Sequence, residues 1–206
     1  MKIINPKEVL FEPEKFLGKK SYSLKELTKY VLVISLIPAI VFAVAIGILT
    51  SMTSYLQSIP AVSLMSLGDF GAYTGVTLTV IVFVFILIGA ILSFLVGGGI
   101  LHVFARLFGG KKEYADTLNA VAASMTPSLL LGWIPIVNIW TVIQSIVVMI
   151  MGVSKKQSIS IFKSALTVAV PIAILSAIIP LIMLAAGGIA QEYTLVMQLI
   201  PISLVG

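Results

Sequence analysis

The sequence predicts an all-α, polytopic integral membrane protein, a bundle of five transmembrane helices with its N-terminus in the cytoplasm and its C-terminus outside. Three observations carry that prediction. Hydrophobic residues make up 59% of the 206 positions and charged residues only 10%, whereas a soluble domain carries charge on about a quarter of its residues. Charge-free runs extend from Tyr30 to Gly68, Phe70 to Ala105, Thr117 to Ser154 and Ser164 to Gln191, and a crossing needs about 20 apolar residues. The third run is long enough for two helices if it turns at Gly132-Trp133-Ile134-Pro135. Finally, the thirteen basic residues fall in three places: seven within the first 29 residues, then Arg106, Lys111 and Lys112, then Lys155, Lys156 and Lys163. Under the positive-inside rule these segments are cytoplasmic, and five crossings then put the C-terminus outside. The net charge of +5 therefore points to anionic lipid headgroups, not to nucleic acid. The absence of cysteine excludes disulfides, zinc thiolates and thiol nucleophiles.

Residues 1–29 form a cytoplasmic or interfacial N-terminal segment, and residues 30–206 the transmembrane domain. Seven lysines and four glutamates precede the first long apolar run, a pattern unlike a cleavable signal peptide. Apolar residues alternate with these charges. Asn5 is placed to cap a short helix opening at Pro6, which Pro13 interrupts. This reads as an element lying on the cytoplasmic leaflet, with a mobile basic tail as the alternative. Ser23 and Glu26 have capping-box spacing, so the first membrane helix is expected over 23–53, kinked at Pro38. Ser35, Ala39, Ala43 and Gly47 give it a face of small side chains that lets another helix approach closely. The loop from Ser54 to Tyr73 is expected to pack on the outer face or dip into the headgroups.

A second helix over 74–108 is longer than the hydrocarbon is thick. It must tilt, protrude or break, and Gly97-Gly98-Gly99 is the expected break. Gly89, Ser93 and Gly97 form a second small-residue stripe. The third helix, 114–131, places Asp116, Asn119, Ala123 and Thr126 on one face, with Ser124 and Ser128 nearby. Polar groups at membrane depth need partners in protein or water. The fourth helix, 136–153, contributes Gln144. The fifth, 159–186, is bent by Pro171 and Pro180, and an apolar tail over 193–206 is expected at the outer interface.

The stretch from His102 to Trp140 carries a recognisable pattern. A histidine precedes the F-A-x-L-F-G-G turn of Phe104 to Gly110. A helix then ends in Ser124 to Pro127, and Trp133-Ile134-Pro135 leads to Ile139-Trp140. In these residues, and in the hydropathy flanking them, the chain resembles the YIP-domain family, the Ypt/Rab-interacting proteins and their prokaryotic relatives. The resemblance implies a five-helix membrane protein with a cytoplasmic N-terminus. Eukaryotic members help organise vesicle traffic, bind prenylated small GTPases and assemble with one another. The long cytosolic region and D-L-x-G-P motif of those members are not found here, so GTPase binding is not carried over. The lysine- and isoleucine-rich composition is that of a prokaryotic-type member.

Two residue groups are candidates for function. His102, Arg106, Glu113 and Asp116 meet across the Gly109 to Lys112 turn as a hairpin cluster at the cytoplasmic mouth. There His102 is either a hydrogen-bonded staple or, among carboxylates, a proton-sensitive centre. Asn119, Thr126, Ser128 and Gln144 form a polar intramembrane group that could line a path. A single histidine excludes a multi-histidine metal site, and the sequence calls for no cofactor. No Asp, Glu, Lys or Arg falls near a midplane, which argues against an enzyme and against a proton- or sodium-coupled transporter. The reading that follows is a non-enzymatic organiser in the cell membrane. Its basic face contacts anionic lipid or partner proteins, and it self-associates or assembles with other membrane proteins. The alternative is a channel or transporter for a small or lipidic solute through the third and fourth helices.

Overall fold

The computed structural model describes residues 4–57 and 75–199. It forms two compact units, Met1–Val168 and Ala169–Gly206. Among the described residues every regular element is helical: α1 (Pro6–Phe11), α2 (Pro13–Gly18), α3 (Leu24–Gln57), α4 (Gly75–Leu92), a π-helical turn (Ser93–Gly97), α5 (Gly98–Leu107), α6 (Tyr114–Leu131), α7 (Pro135–Gln157) and α8 (Ile161–Leu199). Four segments are long and apolar enough to cross a membrane, Leu24–Met52, Gly75–Leu107, Pro135–Gln157 and Ile161–Leu184. The remaining long helix, α6, is not among them.

Local chemistry sets these boundaries. Asn5 Oδ1 accepts the Lys7 N–H at 3.1 Å, and Pro6 occupies the first helical position, where a missing N–H costs nothing. Proline cannot supply the N–H needed to extend α1, so Pro13 ends it and opens α2. The Ser23–Glu26 capping box is formed, with the Ser23 N–H donating to Glu26 Oε2 at 3.0 Å and the Glu26 N–H to Ser23 Oγ at 3.4 Å. The chain leaves α5 through Gly109 at φ +97°, a conformation that favours glycine.

The first unit is built around α6. Ten of its residues are buried, from Thr117 to Pro127. Helices α3, α5 and α7 pack on it, and α4 packs on α3. A Cβ on Gly152 would lie 2.7 Å from Ala120 Cβ, so glycine is what lets α7 approach α6 this closely. On α3 the small-residue face is used: Ser35 and Ala39 are wholly buried, and a Cβ on Gly47 would meet Thr79 Oγ1 at 2.8 Å. Among the described residues nothing packs on the stripe expected on the second helix. Gly89 and Gly97 have nothing within 4 Å, whereas a Cβ on Gly98 would meet Leu118 at 2.5 Å.

Several expectations need correction. The second helix does not break at the glycine triplet. It widens into a π turn that ends on Gly97, the first glycine of the triplet, and continues as α5 from Gly98. The N-terminal segment is not a free tail but is docked on the helices that follow it. Val9, Phe16 and Leu17 are at most 3% exposed, because α1 and α2 pack on α6 and α2 also packs on α7. Helix α7 runs four residues past the expected Val153, carrying Lys155 and Lys156 in its last turn. Helix α8 continues through Gly187 and Gly188 to Leu199, where an end near Ala186 was expected. Glycine lowers helix propensity without forbidding helix. The expected loop over Ser54 to Tyr73 falls largely outside the described residues, as do residues 200–206 of the tail.

Candidate functional site

The three basic segments of the sequence meet at one end of the first unit. They line a cleft of about 490 Å³ walled by the α2–α3 linker from Leu17 to Ser21, by Lys112, and by Lys155, Lys156 and Ser158, with Asp116 beside them. Helix order explains the gathering. Lys112 sits in the turn before α6, Lys155 and Lys156 end α7, and the linker crosses between them because α1 and α2 are docked against α6 and α7. Lys156 is 7% exposed. Its ammonium donates to the Lys19 carbonyl at 2.8 Å and to Ser21 Oγ at 3.3 Å. The Ser21 hydroxyl in turn donates to Asp116. Lys19 pairs with Glu8, with Nζ 2.5 Å from Oε1, and Lys155 lies 3.8 Å from Glu14.

Beneath the cleft runs a buried polar network. Gln157 is 1% exposed and ties the hairpin turn to α7. Its Oε1 accepts the Lys112 N–H at 3.1 Å, and its Nε2 donates to Thr117 Oγ1 at 2.8 Å and to the Glu113 carbonyl at 3.3 Å. Thr117 Oγ1 also lies 2.8 Å from His102 Nδ1, while Arg106 Nε donates to His102 Nε2 at 3.4 Å. Since Arg106 can only donate, His102 Nε2 is the acceptor, and the ring proton sits on Nδ1, pointing at Thr117.

The four residues expected to meet across the hairpin therefore do so only in part. His102 and Arg106 pair along α5. Glu113 contributes its backbone carbonyl while its side chain is exposed, and Asp116 turns away to Ser21. A hydroxyl, Thr117, takes the place beside His102 where carboxylates were expected. The residues that the sequence reading missed are Gln157, Thr117 and Ser21, together with the burial of Lys156. The one available signal was the position of Gln157 directly after the Lys155-Lys156 pair at the end of an apolar run.

The four polar residues expected at membrane depth go to four different partners. Asn119, wholly buried, accepts the Tyr22 N–H at 2.9 Å and donates to the Tyr22 carbonyl at 3.0 Å and the Ala115 carbonyl at 2.7 Å. Thr126 donates to the Ala122 carbonyl at 2.8 Å, which leaves its oxygen to accept from the Tyr30 hydroxyl at 2.9 Å. Ser128 meets Ser145 at 3.0 Å. Gln144 Nε2 donates to the Leu10 carbonyl at 2.8 Å, so the end of α1 reaches the middle of α7. Trp133, at the opposite turn, donates to the Leu130 carbonyl at 2.9 Å.

A family model, the Yip1 domain, matches residues 7–203. The chain belongs to the Yip1 domain family. No curated protein and no solved structure matches it. The match takes in the docked N-terminal helices of this Yip1 domain together with the whole basic cleft and the network under it. It makes the chain a multi-pass membrane protein with apolar helices.

Proposed function

We propose that this Yip1-domain protein is a non-enzymatic organiser of the cell membrane. It crosses the bilayer five times, with its N-terminus and basic cleft in the cytoplasm and its C-terminus outside, and is a prokaryotic-type member of the family. The observation that carries the reading is the convergence of all three basic segments on a single cleft, since a cytoplasmic face rich in lysine and arginine is the one signal known to fix orientation. Helix α6 supplies the fifth crossing. Its 18 residues span about 27 Å at 1.5 Å per residue, near the roughly 30 Å of hydrocarbon. Its polar side chains are met by α3, α7 and the linker, as a helix surrounded by protein requires.

The basic face contacts anionic lipid headgroups or partner proteins, and Gly89 and Gly97, open among the described residues, belong to the surface that meets other membrane proteins or a second copy. Two measurements test the reading together. Proximity crosslinking in native membrane is expected to recover specific neighbours. Solute flux and lipid scrambling in reconstituted vesicles are expected to match protein-free controls. Robust flux that disappears in Asn119→Leu or Gln144→Leu, with both variants folded, would replace the organiser by a channel or transporter through α6 and α7.

A further inference from the structure

We propose that the basic cleft is a discrete binding site for a phosphomonoester, presented by a lipid headgroup. The proposal rests on the cytoplasmic orientation of the basic face argued above and adds a ligand class to it. The charge balance of the cleft is the first argument. Five lysines line it, Lys19, Lys20, Lys112, Lys155 and Lys156, with one aspartate, Asp116. Lys19 is paired with Glu8 and Lys155 with Glu14. Five ammonium groups against three carboxylates leave two positive charges. Lys20 and Lys112 have no carboxylate within ion-pair distance among the described residues. A phosphomonoester carries a charge of about −1.5 to −2 near neutral pH, which matches that excess, whereas a phosphodiester carries only one negative charge.

Geometry is the second argument. An ammonium has three N–H donors, and Lys156 spends two of them on the Lys19 carbonyl and Ser21 Oγ. It is therefore a fixed cation in the cleft wall with one donor remaining, while Lys20 and Lys112 are exposed at the rim. The cleft volume of about 490 Å³ lies within the roughly 300–1,000 Å³ of ordinary small-molecule sites. Its position selects a lipid as the source: Lys155 and Lys156 are the final turn of a segment apolar enough to cross a membrane, which sets the cleft at the depth of headgroup phosphates.

The test uses the full chain in neutral detergent micelles, with native mass spectrometry as the readout. Probes are short-chain phosphatidic acid as the monoester, short-chain phosphatidylglycerol as the diester, and inorganic pyrophosphate as the soluble source. Phosphatidic acid is expected to bind about tenfold or more tightly than either of the others. The double variant Lys20→Gln/Lys112→Gln, at exposed positions, is expected to lose that preference. Lys25→Gln/Lys29→Gln removes equal charge from exposed positions outside the cleft and is expected to stay within about twofold of the parent. Equal losses in both double variants would overturn the discrete site while leaving a diffuse basic face intact. Pyrophosphate binding as tightly as phosphatidic acid would overturn the lipid source. No anionic lipid binding by any form would remove the underlying reading as well.

Discussion

Asn119 shows how much one amide does in this chain. Both ends of its side chain pair with the main chain of Tyr22, as a neighbouring strand would. Replacing it with leucine leaves a part-buried N–H and C=O without partners, each at a cost of about 1–3 kcal/mol. Asn119→Leu is therefore expected to lower the thermal midpoint in detergent clearly, by about 2–6 kcal/mol of stability in all. His102→Gln keeps a donor and an acceptor near Thr117 and Arg106 and is expected to cost less than about 1 kcal/mol. A larger loss for His102→Gln than for Asn119→Leu would reverse the ranking of the two networks. Asn119 was legible in the sequence as a buried polar residue on a helix face. Its partner was not, because a backbone amide 97 positions away leaves no mark in residue type.

Among the elements, α1 and α2 depart furthest from what their sequence suggests. Short, charged and interrupted by proline, they have the pattern of a surface helix, and periodicity alone does not tell a membrane surface from a protein groove. What decides is the receiving face: Gly152 and Ala120 are small enough to admit Leu17, which lies 3.3 Å from the Cβ position of Gly152. Phe16, 2% exposed, also belongs to this core. Phe16→Ala is expected to cost about 3–5 kcal/mol locally. Hydrogen exchange should then speed up over residues 6–18 before α6 is affected. Uniform acceleration across the first unit would mean that the segment is no separate layer. The long apolar helices were readable from composition, since hydropathy records what faces lipid. Helix α6 was readable in extent, Tyr114 to Leu131, for a different reason: its ends are set by a basic glycine turn and by Gly132.

At the scale of the whole molecule, orientation is the property on which the proposed working surface depends. The chain has no cysteine, so single cysteines can be introduced on an empty background. Cysteines at Lys20, Lys112 and Lys155 are expected to react with a membrane-impermeant maleimide only after cells are opened. A cysteine at Asn138, exposed near the opposite turn, should react in intact cells. Labelling of Lys20→Cys and Asn138→Cys from the same side would overturn the five-crossing arrangement. The three lysine segments could be found in the sequence, but their meeting in one cleft could not. It depends on the docking of α1 and α2, which no charge pattern encodes.

The bond from Gln144 to the Leu10 carbonyl joins residues 134 positions apart, and this bears on how the protein is made. Helices α1 and α2 leave the ribosome before α6 and α7, yet the surface that receives them exists only after α7 has been synthesised and inserted. Until then they must wait undocked, with Val9, Phe16 and Leu17 uncovered. Residues made before any of the long apolar helices are thus among the last to find their place.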